Sequence, residues 1–229
     1  MSGGLAIVTG AAAGMGLALA RRLAADGAQV VLTDVDDEAG RAAAAGIEGA
    51  RYAHADMTER GDVERLLADA DGLRVLVNNA GGWIGDAQFP DAPFEDWSRA
   101  LDLNLRGPML ATQLAIVPMR SAGGGVVVNV ASSAGNEDTP YASPEYGAAK
   151  AGLIRFTTAL GDLDSVRVNC IVPNWILTER AEAELAAMTP EERADAPGTI
   201  PLEVVCDAVA NLIADESARG RVVVLEPSG

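Results

Sequence analysis

Tyr146 and Lys150 stand four residues apart in Tyr146-Gly147-Ala148-Ala149-Lys150. On a helix that spacing puts both side chains on one face, where a phenol and an ammonium converge. An unperturbed phenol titrates near ~10, too high for a base at neutral pH. A neighbouring ammonium favours phenolate and brings the group toward the range of an acid–base catalyst. Lys150 is the only lysine among 17 basic residues; the other 16 are arginines. A compact ammonium can tune a phenol and donate to sugar hydroxyls in space that a planar guanidinium would overfill. Ser143-Pro144, just upstream, reads as an N-cap followed by a first-turn proline.

A second group of residues points to a dinucleotide. Thr9-Gly10-Ala11-Ala12-Ala13-Gly14-Met15-Gly16 follows an apolar run and leads into a helical pattern. Gly10 permits a tight turn, while Gly14 and Gly16 let backbone approach a ligand and let helix pack on sheet. The N–H groups at the start of that helix then face a pyrophosphate. Asp34, at the end of the next apolar run, offers a carboxylate to both adenosine ribose hydroxyls. Neither Ala11–Ala13 nor Val35 supplies a cation for a 2′-phosphate, so the reading is NAD rather than NADP. In His54-Ala55-Asp56-Met57, Asp56 is expected to accept from the adenine amino group. Asn78-Asn79-Ala80-Gly81 falls where the strand order should reverse. His54, the only histidine, reads as a partly exposed loop residue. With Cys170 and Cys206 far apart, no set of metal ligands is present.

Three further segments bear on the phenol. Val128-Asn129-Val130-Ala131-Ser132-Ser133-Ala134-Gly135 presents hydroxyls that can hold a substrate oxygen while Tyr146 exchanges its proton. Asn104 lies within a long helical stretch and needs partners there; a water bridging to Lys150 would supply one. Pro173-Asn174-Trp175-Ile176-Leu177-Thr178 is placed to line the nicotinamide side, whose positive ring also favours phenolate. Trp83, Tyr141, Trp175 and Met188 are candidates for an apolar pocket.

Short Val- and Ile-rich runs must hold these groups: Leu5–Thr9, Gln29–Thr33, Arg51–Ala53, Arg74–Asn78, Gly125–Ala131, Arg167–Val172 and Val222–Leu225. Helical spacing occupies Met15–Asp26, Asp37–Ala45, Glu59–Ala70, Phe94–Met119, Pro144–Leu160 and Glu203–Asp215. Seven strands alternating with helices imply βαβ crossovers and a doubly wound α/β sheet of parallel strands. Residues 1–229 read as one domain, with an irregular insertion at 178–201 acting as a substrate lid. Apolar residues make up 49% and charged residues 22%, the balance of a globular protein. The net charge of −16 repels phosphate backbones and anionic lipid, which argues against nucleic acid or membrane as partner. The opening MSGGLAIVTG lacks a signal peptide's basic stretch and long apolar run, so the expected location is the cytoplasm.

On Thr9–Gly16, Asp34, Asp56, Asn78–Gly81, Asn104, Asn129–Gly135, Tyr146–Lys150 and Pro173–Thr178 the chain resembles the short-chain dehydrogenase/reductase family with TGxxxGxG and YxxxK motifs. That resemblance covers nearly the whole chain. It implies a Rossmann-type domain and an NAD-linked oxidoreductase acting on a secondary alcohol or ketone. A homodimer or homotetramer built on the helices near 94–119 and 144–160 is implied as well. It further implies Asn104 for a proton-relay water, Ser132 for substrate, Tyr146 as acid/base, and Lys150 for the ribose and the phenol's pKa. Cofactor contacts are implied at Thr9, Gly10, Gly14, Met15, Gly16, Asp34, Asp56, Met57, Asn79, Ala80, Gly81, Pro173, Ile176 and Thr178. Distance from the strand asparagine selects Ser132, whereas distance to the tyrosine selects Ser133. The family's Pro-Gly after the sixth strand is Pro173-Asn174, where asparagine would tolerate a left-handed backbone. The region from about Ile200 is shorter than usual, and the ending Glu226-Pro227-Ser228-Gly229 departs from the family's finish. A cofactor-binding regulator without chemistry is the competing class, opposed by intact Tyr146 and Lys150.

Overall fold

The computed structural model describes residues 3–138, 141–161 and 163–227, apart from the side chains of residues 194 and 195; Ser228 and Gly229 of the ending lie outside these. Its centre is a sheet of seven parallel strands: β1 (Leu5–Thr9), β2 (Gln29–Asp34), β3 (Arg51–His54), β4 (Leu73–Asn78), β5 (Gly125–Val130), β6 (Val166–Pro173) and, last in the chain, β9 (Val222–Leu225). The spatial order is β3-β2-β1-β4-β5-β6-β9. The order reverses between β1 and β4, so a crevice opens beyond their carboxyl ends.

The apolar runs sort their side chains by period two, and each parity feeds a different core. Ala6, Val8, Val126 and Val128 pack under α1 (Gly14–Ala25) and α9 (Leu202–Ala214) with Leu19, Leu23, Val209 and Leu212. Ile7, Leu76 and Val127 face the other way, against Val63 and Leu66 of α3 (Arg60–Ala68) and Ala111, Ala115 and Met119 of α5 (Gly107–Ser121). Burial on both faces is what the unbroken valine runs required. The second crossover helix is α2 (Asp37–Ala45).

Two expected elements differ. The stretch 94–119 is α4 (Phe94–Leu101), a π-turn over Asp102–Arg106, then α5. In the π-turn the Gly107 N–H reaches the Asp102 carbonyl, five residues back. The insertion is not irregular. It contains α7 (Glu179–Ala187) and α8 (Pro190–Asp195), bracketed by the short parallel strands β7 (Ile176–Leu177) and β8 (Ile200–Pro201). A capping box of Thr189 and Glu192 starts α8. Between β5 and β6 runs α6 (Pro144–Ala159), which carries the tyrosine and the lysine. Among the described residues no helix is long and apolar enough to cross a membrane.

Candidate active site

The ends of β1 and β4 are stitched together by side chains. Thr9 is buried; its hydroxyl donates to the Val77 carbonyl (3.4 Å) and accepts from the N–H groups of Asn79 (3.0 Å) and Ala80 (2.9 Å). The hydroxyl holds the two strand ends together. Asn79 Nδ2 donates to the carbonyls of Thr9 (2.8 Å) and Gly10 (2.9 Å), pinning the loop from the opposite side. Gly10 adopts φ +63°, which disfavours any side chain. A Cβ at Gly16 would stand 2.0 Å from the Gly10 carbonyl oxygen. The loop thus closes tightly on the first turn of α1. That turn has no side-chain cap and no acidic residue, leaving its N–H groups for an external anion.

Beside this loop is a cavity of about 410 Å³ lined by Gly10, Met15, Gly16, Asp34, Asp56, Met57, Asn79, Ala80 and Gly81, with Ala13, Val35, Ala55 and Leu103. Ala13 and Val35 are the uncharged positions on which the choice of NAD rested, and Leu103 carries no chemical signature in the sequence. The Asp34 carboxylate accepts from the N–H groups of Ala12 (3.0 Å), Val35 (2.8 Å) and Asp36 (3.2 Å), which fixes it at the cavity wall. The nearby Arg41 is paired with Asp37 at 2.6 Å. Asp56 lines the cavity as well. Its Oδ1 accepts from the N–H (2.9 Å) and hydroxyl (2.7 Å) of Thr58, and its Oδ2 meets Arg99 at 3.0 Å, which fixes the carboxylate expected to accept from adenine. His54 ends β3, and its Nδ1 lies 2.8 Å from Asp37. Among the described residues no group of three or more His, Cys, Asp or Glu could hold a metal ion.

At the far end of this crevice Tyr146 is partly buried, with the Ser132 hydroxyl near enough to favour its phenolate. Ser132 accepts from the Ala134 N–H at 3.3 Å, at the start of the short turn Ser133–Gly135. Lys150 is buried (2% exposed), and its Nζ lies 5.5 Å from the Tyr146 ring centroid. Nζ donates to the Val130 carbonyl at 2.8 Å, a backbone partner that no sequence pattern announces. A Cβ on Gly81 would lie 2.9 Å from Lys150 Nζ and 2.7 Å from Asn104 Oδ1. Gly81 therefore joins the cavity to both of these groups.

Burial pushes the Tyr146 phenol up to about 12, opposed by the neighbouring Ser132 hydroxyl. Burial also pulls Lys150 down to about 8. Taking both groups out of water disfavours their charged forms, and at 5.5 Å the ammonium does not overturn this for the phenol. Asn104 needs no water to satisfy it. Its Nδ2 donates to Gly82 O (2.8 Å) and Ala100 O (2.9 Å), and its Oδ1 accepts from Gly82 N–H (3.0 Å). The π-turn turns this buried amide toward the Gly81–Gly82 backbone. Ser143 is buried but caps nothing; its hydroxyl has no partner.

In the segment after β6 the backbone of Asn174 differs from expectation. Pro173 is buried at the strand end, paired in register with Leu225. Asn174 has no left-handed backbone; its Oδ1 accepts instead from the Trp175 N–H at 2.8 Å. Ile176 packs against the core under α1 and α9. The Thr178 hydroxyl caps α7, and its methyl lies 3.8 Å from where a Cβ of Gly14 would stand. Of the four pocket candidates, Tyr141 stacks on Tyr146 and Trp83 meets Tyr141 edge-on. Glu145 was not anticipated: a buried carboxylate beside the phenol that accepts from the Phe89 N–H at 3.4 Å.

A family model described as short chain dehydrogenase matches residues 4–188. The chain belongs to the short-chain dehydrogenase/reductase family. It is an oxidoreductase of that family, whose members bind nicotinamide cofactors. It is 37% identical over 184 residues to a 3-alpha-(or 20-beta)-hydroxysteroid dehydrogenase of Mycobacterium tuberculosis, covering 77% of this chain and 70% of that protein. It is 36% identical over 228 residues to a cyclopentanol dehydrogenase of Comamonas sp., covering 93% and 90%. Among solved structures, an actinorhodin polyketide ketoreductase variant with NADPH superposes with a TM-score of 0.86 at 28% identity, covering 98% of this chain and 97% of that one.

Proposed function

We propose that this protein interconverts a secondary alcohol and its ketone with NAD, using Tyr146 as the proton-transferring group. NAD, when bound, supplies the nicotinamide carbon that takes up the hydride. The observation that carries the reading is the buried Lys150 ammonium, 5.5 Å from the Tyr146 ring and one glycine away from the cavity beside the Gly10–Gly16 loop. Gly10, Gly14, Met15 and Gly16 would cradle the pyrophosphate, and Asp34 would accept from the adenosine ribose. Met57, Asn79, Ala80 and Gly81 would form the rest of the cofactor wall, with Pro173, Ile176 and Thr178 behind the nicotinamide. Ser132 holds the substrate oxygen. Tyr146 takes the hydroxyl proton at its Oη during oxidation and returns it during reduction. An ammonium has three donors. Lys150 spends one on Val130 and keeps two for ribose hydroxyls, near enough to stabilise the phenolate. Asn104 would hold the water through which Lys150 passes a proton to solvent.

NAD rather than NADP is favoured by the fixed Asp34 carboxylate, whose neighbouring guanidinium is already committed to Asp37. The NADPH-bound relative makes the opposite choice worth measuring. The residues from 178 to 201 would fold down as a lid over one 1–229 domain. The acidic surface favours a small-molecule substrate in the cytoplasm. Assembly into a homodimer or homotetramer is part of this reading.

Fluorescence titration with NADH and NADPH, together with Tyr146→Phe, tests the proposal. NADH should bind more tightly, and the variant should keep that binding while losing at least ~10²-fold in kcat. Tighter NADPH binding overturns the Asp34 argument, and a Tyr146→Phe variant as fast as its parent overturns the chemistry.

A further inference from the structure

The aromatic groups beside the phenol form a continuous wall. The rings of Tyr141 and Tyr146 are stacked, with centroids 6.1 Å apart and planes 26° apart. Trp83 meets Tyr141 edge-on at 5.9 Å and 88°. Much of the area of both rings stays open: Trp83 is 49% exposed and Tyr141 39%. Large aromatic surface left open against a proton-transferring phenol is surface prepared for a ligand.

The wall is also held in place. Asn104 grips Gly82 at both its N–H and its carbonyl, directly before Trp83. The buried Glu145 takes the Phe89 N–H, fixing the same loop to the first turn of α6. Charge is lacking on the other side. The lid's two guanidiniums are occupied, Arg180 by Glu184 at 2.8 Å and Arg193 by the Leu185 carbonyl at 2.7 Å. Lys150 lies beneath the phenol, bound to Val130. Among the described residues of the lid and the wall, then, each cation already has a partner within the protein.

We infer that Trp83 and Tyr141 are specificity-determining residues that select uncharged secondary alcohols borne on an apolar ring over small acyclic alcohols and hydroxy acids. Glu145 is a positioning residue for that wall. This inference rests on the proposed alcohol–ketone activity.

The test measures kcat/KM for cyclohexanol, 2-propanol and 3-hydroxybutyrate with NAD in the wild type, Trp83→Ala, Trp83→Phe, Glu145→Ala and Glu145→Gln. Wild type should prefer cyclohexanol. Trp83→Ala should lower the cyclohexanol to 2-propanol ratio by about tenfold or more, the worth of a few apolar contacts in a pocket. Trp83→Phe should restore most of the ratio. Glu145→Ala should raise KM for cyclohexanol more than it changes kcat, and Glu145→Gln, which keeps an oxygen to accept from the Phe89 N–H, should restore it. Binding is read separately: cyclohexanone should quench Trp83 fluorescence in the NADH-loaded protein but not in Trp83→Phe. A wild type inert toward every alcohol and ketone overturns the proposed activity. An active wild type that favours 3-hydroxybutyrate, or whose ratio is unmoved by Trp83→Ala, overturns the aromatic wall alone.

Discussion

Replacing Lys150 with methionine should make the cofactor-free protein more stable at neutral pH while disabling it. Lys150 is buried, and its ammonium titrates near 8 instead of 10.5. A depressed lysine pKa means that the fold disfavours the charge. Below pH 8 both folded and unfolded chains carry the proton, so the fold bears the whole cost. At about 1.36 kcal/mol per unit this comes to about 3 kcal/mol. Between pH 8 and 10.5 the unfolded chain alone holds the proton, and wild-type stability rises with pH. By pH 10 about 1 kcal/mol of the cost remains. Methionine fills similar volume without the charge. It gives up the 2.8 Å bond to Val130, worth about 1.5–3 kcal/mol for a charged donor. The net gain at pH 7 is therefore small. The pH dependence is the sharper quantity: the stability difference, variant minus wild type, should fall by about 2–3 kcal/mol between pH 7 and pH 10. Stopping at pH 10 avoids Tyr146, whose phenol titrates near 12 in the fold. Tyr146 contributes stability that is present below ~10 and lost only as pH rises toward 12. Urea unfolding of both proteins at pH 7, 8, 9 and 10 measures the difference. A difference that stays constant with pH would refute a buried, destabilised ammonium.

Three other outcomes follow from the geometry. Gly16→Ala drives a Cβ to 2.0 Å from the Gly10 carbonyl, a backbone atom that cannot swing aside; a loss of about 1–3 kcal/mol and weakened NADH binding should appear in thermal melts and titration, and unaltered binding contradicts the tight loop. Asp34→Ala removes the acceptor beside Val35, so the NADH preference over NADPH should shrink by about tenfold or more, the loss of one charged hydrogen bond; an unchanged ratio places the ribose elsewhere. Arg167→Met strips four carbonyls, those of Leu212, Ile213, Asp215 and Ala218, of their guanidinium; Tm should drop by several degrees with NADH affinity retained, and a Tm equal to wild type denies the clamp its role.

What the sequence determined is what local rules govern. Valine runs of period two, separated by helical spacing, allow one kind of sheet, and a glycine turn after the first run opens a crevice at its carboxyl edge. Tyr146 and Lys150 share a helix face because four residues make about one turn. The segment from Thr178 to Pro201 was also legible, since Thr189-Pro190-Glu191-Glu192 spells a capping box that Pro197 and Gly198 obscured. Other features depended on groups far apart in the chain. The partners of Thr9 and Asp56 come from other segments: Val77, Asn79 and Ala80 for one, Arg99 for the other. The approach of the Ser132 hydroxyl to a phenol on another element is likewise a product of tertiary packing. The direction of the phenol's shift was decided by burial, which no spacing of residues encodes. Motifs fix which groups share a face or an edge; desolvation and long-range hydrogen bonding, set only when the helices close over the sheet, fix what those groups are free to do.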